Sequence, residues 1–375
     1  MSAGNKHIVV IGAGVIGLQA AISLLEAGYQ VTIIAKHFPG DLSAEYTSPW
    51  AGAHWRTHAA PEDARQRAWD VASYRKWYET VQEEQKNPRQ TRSGLGIYSS
   101  KFYCEDTSPP WFANEVKGFR MIGTRRINGK VLTGHEFESI MINVPRYLDY
   151  LRQRAVELGA RSLKTTLPVS TTLAGTLRHA AEVVRHAVTA TPIDAFVNAT
   201  GISASRLVPD SAVFPIRGQT VTVKGEAKGI TTVDASPDNV SPASPNITYV
   251  LPRPRSGTSI LGGTKQAGDW AAEPDRLTTQ EILDRAKEFA PELLDERGEF
   301  EVVSAQVGFR PGRKGGARVE IEEVRQPGGV GEAMVVCHSY GHAGAGYQNS
   351  IGNADEVVRL LEGYFKGRSA SRANL

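Results

Sequence analysis

The sequence predicts an α/β protein, α+β overall, in which a Rossmann-type nucleotide-binding domain is interleaved with a domain built on an antiparallel sheet. Three observations predict this fold. They are the glycine-rich turn "VVIGAGVIGL" that starts at Val9, a buried strand at 194–201 that runs into a glycine, and strand-like segments with hairpin turns from Phe214 onward. Segments of α/β character lie at both ends and in the middle of the 375 residues. Two interleaved domains are therefore favoured over two consecutive ones.

The N-terminal segment predicts a β-α-β unit. Residues 7–11 have the pattern of a buried strand, 15–27 have apolar residues at helical spacing, and 29–36 form a second apolar run. Gly28 is placed to end the helix. Gly12, Gly14 and Gly17 fit G-x-G-x-x-G, in which the glycines permit a tight turn, close approach to a pyrophosphate and close helix–strand packing. We therefore expect a dinucleotide at this turn, bound by the N-terminus of the helix.

The remaining elements are predicted from periodicity, proline and glycine. Pro61 is expected to open a long helix, and 87–135 to contain short strand-like pieces between glycines and prolines. The further predicted elements are a helix at 143–158, antiparallel strands from 214 to 264, a helix at 278–289, a strand at 301–310, and a strand, glycine-rich loop and helix from 332 to about 367.

Composition and charge exclude several classes of protein. The net charge of +3 is small and the basic residues are dispersed, which argues against a nucleic-acid partner. The two cysteines, Cys104 and Cys337, provide neither a disulfide framework nor a cysteine-rich metal site. No apolar run approaches the roughly 18 residues that a membrane span requires. We expect a soluble intracellular protein without a metal; its oligomeric state, a homo-oligomer included, is left open.

The end of the second strand leaves the identity of the dinucleotide open. A carboxylate usually stands there to hold the ribose hydroxyls, whereas this chain has Lys36. One interpretation is NADP, because a cation suits its 2′-phosphate. The other is FAD with the ribose held differently.

Six motifs in order along the chain resemble the FAD-dependent D-amino-acid oxidase family. They are "SPWAGAHW" at 48–55, "VNATG" at 197–201, "PIRGQT" at 215–220, "TYVLPRP" at 248–254, "VGFRPGR" at 307–313 and "HSYGHAGAGYQNSIG" at 338–352. The resemblance spans nearly the whole chain and implies FAD. It also implies a discontinuous FAD-binding domain over 1–60, 136–205 and 305–367, with a substrate-binding domain over 61–135 and 206–304.

The resemblance also implies which residues contact the cofactor. Beside the glycine turn, these are residues of the second strand, of the 43–53 loop, of the "NATG" turn and of the C-terminal glycine loop. The predicted set is Gly12, Ala13, Gly14, Val15, Ile16, Gly17, Ala35, Lys36, Ser43, Ala44, Thr47, Ser48, Gly52, Ala53, Thr200, Gly201, Arg310, Ala343, Gly344, Gly346, Tyr347 and Gln348. Gly52 and Ala53 are expected against the flavin ring, and the loop from His342 along its edge.

Arg310 and Tyr249 match the residues with which the family binds the substrate α-carboxylate. The planar fork of an arginine suits a carboxylate, and a tyrosine can donate a further hydrogen bond. Gln348 is expected near the reacting amine. No side-chain base is required if the amine is neutral, because hydride can pass from Cα to flavin N5 and catalysis then rests on orientation and electrostatics. The expected products are a 2-oxo acid, ammonia and, with O₂ as electron acceptor, H₂O₂.

Lys265 in "LGGTKQAGDW" favours an acidic substrate. In the D-aspartate oxidase branch a basic residue stands in a similar context, whereas members that act on neutral substrates usually carry an aromatic residue there. A cation would pair with a side-chain carboxylate, and His54 is expected to assist as a hydrogen-bond donor or a partial charge near neutral pH. A preference for neutral D-amino acids is the alternative.

Pro245 stands where some members of the family carry a second tyrosine, so any role of that tyrosine does not carry over to this chain.

Three other functions are compatible with parts of the pattern. The case for an NADP-dependent dehydrogenase rests on Lys36. A non-enzymatic flavoprotein needs no carboxylate clamp, and an oxidase of glycine or sarcosine would share much of the architecture.

The C-terminal tail at 368–375 is expected to be flexible. Its last residues, Ala-Asn-Leu, resemble the Ser-Lys-Leu address read by the peroxisomal import receptor, so we expect a peroxisomal protein, otherwise a cytoplasmic one.

Overall fold

The computed structural model describes residues 6–234, 246–325 and 333–373. The chain forms two compact units, and segments of each alternate along the sequence. The first unit comprises Met1–Pro49, Leu148–Phe214 and Pro311–Leu375, and the second comprises Trp50–Tyr147 and Pro215–Arg310. The predicted α/β fold class is confirmed by helices and two mixed sheets.

The elements of the described residues are numbered in chain order. The strands are β1 (His7–Ile11), β2 (Gln30–Ala35), β3 (Leu95–Cys104), β4 (Lys117–Ile127), β5 (Lys130–Ile142), β6 (Arg161–Lys164), β7 (Ala195–Asn198), β8 (Val213–Lys224), β9 (Ile230–Asp234), β10 (Asn246–Arg253), β11 (Thr258–Thr264), β12 (Gln266–Ala267), β13 (Val302–Arg313), β14 (Arg318–Val324) and β15 (Met334–Tyr340). The helices are α1 (Val15–Glu26), α2 (Ala64–Lys86), α3 (Val144–Glu157), α4 (Leu173–Ala187), α5 (Ala204–Leu207), α6 (Arg276–Ala286) and α7 (Gly346–Ala373).

The first unit contains the predicted β-α-β segment at the centre of a six-stranded sheet. Its strand order is β14-β15-β7-β1-β2-β6 among the described residues. The strands β15, β7, β1, β2 and β6 run parallel, and β14 is antiparallel to β15. All of β1 is buried, as expected of a strand covered on both faces. Gly28 ends α1 as predicted, with φ of 89° and its N–H donated to Leu25 O.

The second unit is built on a larger, mainly antiparallel sheet. Its order is β12-β8-β11-β10-β9-β3-β5-β4, with β13 also beside β8. The predicted hairpin at "RSG" joins β10 to β11, and Arg255 and Gly257 both have positive φ there. Strand β3 runs parallel to β9 and antiparallel to β5. This sheet carries Arg310 on β13 and Tyr249 on β10, two of the residues predicted to contact substrate.

Several predicted element bounds were wrong. Helix α2 begins at Ala64 rather than Pro61, because Asp63 caps it by accepting a hydrogen bond from Gln66 N at 2.9 Å. The 87–135 region forms long strands rather than short pieces, since β3 and β4 pair along the edges of β5. Helix α4 had no predicted counterpart. The predicted helix at 278–289 begins at Arg276, where Asp275 caps it.

The C-terminal region also differs from the prediction. Helix α7 continues to Ala373, through most of the tail that we expected to be flexible from 368. Asn374 and Leu375 lie outside the described residues, as does Pro245, so the peroxisomal address stays a prediction. Within the described ranges, no helix has the length and apolar composition needed to cross a bilayer.

The limits of the two units differ from the predicted domain limits at each junction. Residues 50–60 and 136–147 belong to the second unit, because β5 is part of its sheet and residues 53–55 pair with the end of β5. Residues 206–214 belong to the first unit.

Candidate active site

The glycine turn between β1 and α1 leaves no room for side chains. A Cβ on Gly12, where φ is 115°, would lie 2.4 Å from Ala199 O. A Cβ on Gly17 would lie 2.0 Å from Gly12 O, and one on Gly14 would lie 2.9 Å from Ser48 Oγ. The turn is therefore a backbone cradle at a helix N-terminus, and such a site suits the pyrophosphate of a dinucleotide.

Ser48 connects this cradle to two other predicted cofactor segments. Its Oγ accepts a hydrogen bond from Val15 N at 3.0 Å, and its carbonyl oxygen accepts one from the Tyr347 hydroxyl at 2.9 Å. Tyr46 donates its hydroxyl to Ala13 O at 2.7 Å from the same loop. Sequence reasoning missed Tyr46, because a single buried tyrosine in a loop has no motif of its own.

The environment of Lys36 bears on the choice between NADP and FAD. Lys36 Nζ lies 3.3 Å from Glu45 Oε2, and Arg206 Nη2 lies 3.0 Å from the other carboxylate oxygen. Burial alone would raise the pKa of Glu45, but Lys36 and Arg206 lower it overall, so this carboxylate is charged near neutral pH. This carboxylate neutralises one of the two cations and leaves the group with a net charge of +1. The choice of FAD over NADP therefore depends on the six motifs and not on Lys36.

The C-terminal glycine loop supplies a buried hydrogen-bonding group. Gln348 lies in the first turn of α7 and is 3% exposed, and its Nε2 has no hydrogen-bond partner among the described residues. A buried donor without a partner costs free energy, which a bound molecule can recover. Together with the glycine cradle, this orphaned donor fits a dinucleotide cofactor held by the first unit.

The remaining predicted cofactor residues divide between the two units. Those in the first unit are Ile16, Ala35, Ser43, Ala44, Thr47, Thr200, Gly201, Ala343, Gly344 and Gly346, whereas Gly52, Ala53 and Arg310 belong to the second. Thr200 is held from within its own turn, because its N–H and hydroxyl both donate to Asn198 Oδ1, at 3.3 and 2.8 Å.

In the second unit, Arg310 and Tyr249 lie together as predicted. Arg310 Nη1 donates to Thr264 O at 2.9 Å, and the guanidinium also donates to the Tyr249 hydroxyl. Burial raises the pKa of Tyr249 despite the opposing charge of Arg310, so the phenol keeps its proton. A phenol that accepts from arginine can still donate its own proton to a carboxylate. The pair can therefore bind one carboxylate from two sides.

Motif glycines make the space for both groups. A Cβ on Gly218, from the "PIRGQT" motif, would lie 2.3 Å from Arg310 Nη1 and 2.5 Å from Cζ. A Cβ on Gly262 would lie 2.0 Å from the Tyr249 ring, and one on Gly263 would lie 2.7 Å from its hydroxyl oxygen. Close approach of a side chain to the backbone therefore requires glycine at these three positions.

A second, fully hydrogen-bonded arginine fixes the turn that carries Lys265. Arg217 is 3% exposed and donates to Gln266 Oε1 at 2.6 Å, Ala271 O at 2.7 Å and Glu273 O at 2.8 Å. These bonds span the residues that follow Lys265 in the chain. Arg217 thus stabilises the turn rather than being available for a ligand.

Lys265 is half-buried and is influenced by three other charged side chains. The pKa of Lys265 is lowered to about 8, mainly by burial and also by Arg56 and Arg310, while Asp234 opposes them. Lys265 is therefore mainly a cation at pH 7 and becomes neutral as the pH rises through about 8. The predicted second cation does lie within electrostatic reach of Arg310.

The sequence reasoning missed the third cation and its counter-ion. Arg56 Nη2 lies 2.9 Å from Asp234 Oδ2, with side chains only 10% and 5% exposed. The Arg56 guanidinium also lies over the Phe102 ring, 4.9 Å from its centroid. Arg56 stands one residue beyond the quoted "SPWAGAHW" motif, and its distance from Asp234 in sequence hides the pair. We call Arg56, Lys265 and Arg310 the cationic cluster.

Of the two roles expected of His54, hydrogen-bond donor or partial charge, its electrostatic surroundings favour the first. Burial, with a further contribution from Arg56, lowers the pKa of His54 to about 3, so the ring is neutral near pH 7. His58, which was not predicted, has its pKa lowered by burial and then by Arg56, Lys265, His54 and Arg310. Both rings can act as neutral hydrogen-bonding groups beside the cationic cluster. Thr57, between them, donates to Asp70 of α2 at 2.6 Å and fixes the segment.

The chain matches the family model described as FAD dependent oxidoreductase over residues 7–360. It is therefore an FAD-dependent oxidoreductase, and it belongs to this family. The glycine cradle and Gln348 are the residues of the first unit that would hold the cofactor.

Curated relatives match nearly the whole chain. A D-amino-acid oxidase of Schizosaccharomyces pombe is 34% identical, with 95% of this chain and 96% of that protein covered. A D-aspartate oxidase of Cryptococcus neoformans is 31% identical, with 95% and 97% covered. Glycine oxidase from Geobacillus kaustophilus has a similar structure, with a TM-score of 0.65 at 17% identity and 95% of each chain covered, which supports the fold alone.

Proposed function

We propose that this protein oxidises D-amino acids with an acidic side chain, D-aspartate foremost, and uses O₂ as the electron acceptor. The overall reaction converts the D-amino acid, O₂ and water into the 2-oxo acid, ammonia and H₂O₂. Relatives named D-amino-acid oxidase and D-aspartate oxidase support the reaction class. When bound, FAD supplies the two-electron oxidation chemistry that no amino-acid side chain provides.

The charge of the cationic cluster is the observation that carries the acidic preference. Lys265 is under the influence of two described cations, Arg56 and Arg310, and one described anion, Asp234. With Lys265 itself, these groups have a net charge of +2 below pH 8. A reactive D-amino acid with a neutral amine has one negative charge if its side chain is apolar and two if it is acidic. The dianion matches the cluster, and the monoanion leaves one cation uncompensated.

The residues of the second unit can perform binding and orientation. Arg310 and Tyr249 hold the α-carboxylate, and Lys265 holds the side-chain carboxylate. Two charged anchors at opposite ends of a small molecule fix its orientation, and orientation is a large part of catalysis by proximity. His54 and His58, kept neutral by their surroundings, can accept or donate hydrogen bonds without adding positive charge. No side-chain base is needed when the amine is already neutral.

A preference for neutral D-amino acids is the second candidate. It is favoured by the name of the Schizosaccharomyces pombe relative and by the ease with which Lys265 loses its charge. A neutral Lys265 would present its alkyl chain to an apolar side chain. The two candidates differ in what Lys265 contributes at pH 7.

Replacement of Lys265 separates the candidates. With peroxide release measured at pH 7, Lys265→Met is expected to lower kcat/KM for D-aspartate about 10- to 100-fold, the worth of a charge-assisted hydrogen bond. D-alanine should change by less than about threefold, since it has no group to pair with the lysine. Lys101→Met removes an exposed lysine of the same unit and is the matched control. Equal losses for both substrates, or none, would contradict the acidic assignment.

A further inference from the structure

A series of hydrogen bonds in the first unit runs from Glu322 on β14 to the turn that follows β7. His338 Nε2 lies 3.0 Å from Glu322 Oε2, and His338 Nδ1 lies 3.0 Å from Asn198 Nδ2. Asn198 Oδ1 in turn accepts the N–H and the hydroxyl of Thr200. Asn198 is 1% exposed and His338 is fully buried, so the hydrogen bond between these two side chains is protected from water.

The donor and the acceptor of each hydrogen bond in this series follow from the Thr200 end. The Thr200 backbone N–H can only donate, so the atom it faces must be the carbonyl oxygen of Asn198. The amide NH₂ then faces His338 Nδ1, which must accept and is therefore unprotonated. The proton of the neutral ring is on Nε2 and is donated to Glu322. Burial, helped by Arg318, lowers the pKa of His338 and favours this neutral form.

The far end of the series is a wall of the glycine cradle. The Cβ that Gly12 lacks would lie 2.4 Å from Ala199 O and 3.5 Å from Thr200 N. The backbone at 199–200 is therefore packed against the first glycine of the turn. Asn198 holds this backbone through Thr200, and the orientation of the Asn198 amide depends on His338.

We infer that His338 is a positioning residue for FAD: by accepting from Asn198 at Nδ1, it fixes the 199–200 backbone against the glycine turn and so keeps the cradle ready for the cofactor. Glu322 holds the proton on Nε2 and leaves Nδ1 as the acceptor. Loss of this acceptor lets the Asn198 amide rotate and releases Thr200. The role concerns cofactor affinity and does not depend on which amino acid the protein oxidises.

Two substitutions of His338 separate positioning from packing. Asparagine has an oxygen where histidine has Nδ1, one bond beyond Cγ, whereas leucine has a methyl group there. Both lose the bond to Glu322 and both are smaller than histidine. They differ at the one atom that faces Asn198. His7→Leu is the control, because His7 is also fully buried in the sheet and bonded to Thr32 Oγ1 at 2.9 Å, but it lies at the opposite end of β1 from Gly12.

The measurement is the dissociation constant of FAD from the full-length apoprotein, followed by quenching of flavin fluorescence, with the melting temperature of each apoprotein recorded. We expect His338→Leu to raise the dissociation constant about tenfold, the worth of one buried hydrogen bond, and His338→Asn to raise it less than about threefold. His7→Leu should lower the melting temperature but leave FAD affinity unchanged. Equal loss of affinity in the leucine and asparagine variants, or no loss in either, would overturn the inference.

Glu322 provides a second test at a partly exposed position, where a substitution is better tolerated. Its side chain is 38% exposed, and Glu322→Leu removes the acceptor that fixes the Nε2 proton. FAD affinity should fall in the same direction by a smaller factor, about threefold, because the Nδ1 acceptor is weakened and not removed. Unchanged affinity in this variant, together with wild-type affinity in His338→Leu, would leave His338 with a packing role alone.

Discussion

Arg56 and Asp234 form a buried ion pair whose two members act on Lys265 in opposite directions. Their side-chain atoms approach to 2.9 Å. Arg56 lowers the pKa of Lys265 and Asp234 raises it. The pair has no net charge of its own, but it helps to set the pH at which Lys265 loses its proton. It connects the 50–60 segment with the end of β9, which are distant in sequence.

Breaking this pair at one end is expected to destabilise the protein strongly. Arg56→Met removes one partner of this buried pair, so the Asp234 carboxylate loses the guanidinium 2.9 Å away, and such a loss typically costs about 3–5 kcal/mol of unfolding free energy. The double variant Arg56→Met/Asp234→Leu removes both charges and should recover most of the loss. Denaturant unfolding of the three proteins measures this coupling. A double variant that is less stable than Arg56→Met would contradict the account.

The preference for an acidic substrate is expected to disappear at alkaline pH. Lys265 has a pKa of about 8, below the ordinary value, so it is a cation below this pH and neutral above it. The ratio of kcat/KM for D-aspartate to that for D-alanine should therefore fall as pH rises through about 8. Titration of the α-amine largely cancels in this ratio, because both substrates have one.

Two variants test whether Lys265 causes that fall. Lys265→Arg keeps a cation at all these pH values, so the ratio should stay high to a higher pH. Asp234→Asn removes the charge that raises the pKa of Lys265, so the fall should move to lower pH. A ratio that is independent of pH in the wild type would show that Lys265 does not bind the side-chain carboxylate.

Gly218→Ala is expected to displace Arg310 and impair binding of the α-carboxylate. The added methyl would lie 2.3 Å from Nη1, so the guanidinium must move from Thr264 and Tyr249. We expect kcat/KM to fall at least about tenfold for D-aspartate and D-alanine alike, since both have this carboxylate. Gly363→Ala, in α7 with open space at the added methyl, is the control and should keep full activity. Activity of Gly218→Ala equal to that of this control would refute the role of Arg310.

Local patterns predicted the parts of the protein that depend on neighbouring residues in sequence. The turn at Gly12, the helix end at Gly28 and the hairpin after Arg253 each follow from backbone requirements that a few residues express. The motifs also predicted that Arg310 and Tyr249 lie close together, although the predicted domain limits placed Arg310 in the FAD-binding domain.

The features that sequence did not reveal depend on distant contacts. Asp234 pairs with Arg56 across 178 positions, and His338 faces Asn198 across 140. Asn198 and His338 lie in quoted motifs, but nothing in the local sequence indicates that they face each other, or that Arg56 pairs with Asp234. The neutral state of His54 likewise follows mainly from burial, which only the folded chain produces, with a smaller contribution from its sequence neighbour Arg56.

The most direct test of the central claim is anaerobic reduction of the FAD-bound protein by single substrates at pH 7, followed by bleaching of the flavin absorbance. We predict that D-aspartate bleaches the flavin at least about tenfold faster than D-alanine at equal subsaturating concentrations, in line with one charge-assisted contact to Lys265. L-Aspartate should have no effect. Faster bleaching by D-alanine, or no bleaching by either D-amino acid, would contradict the account.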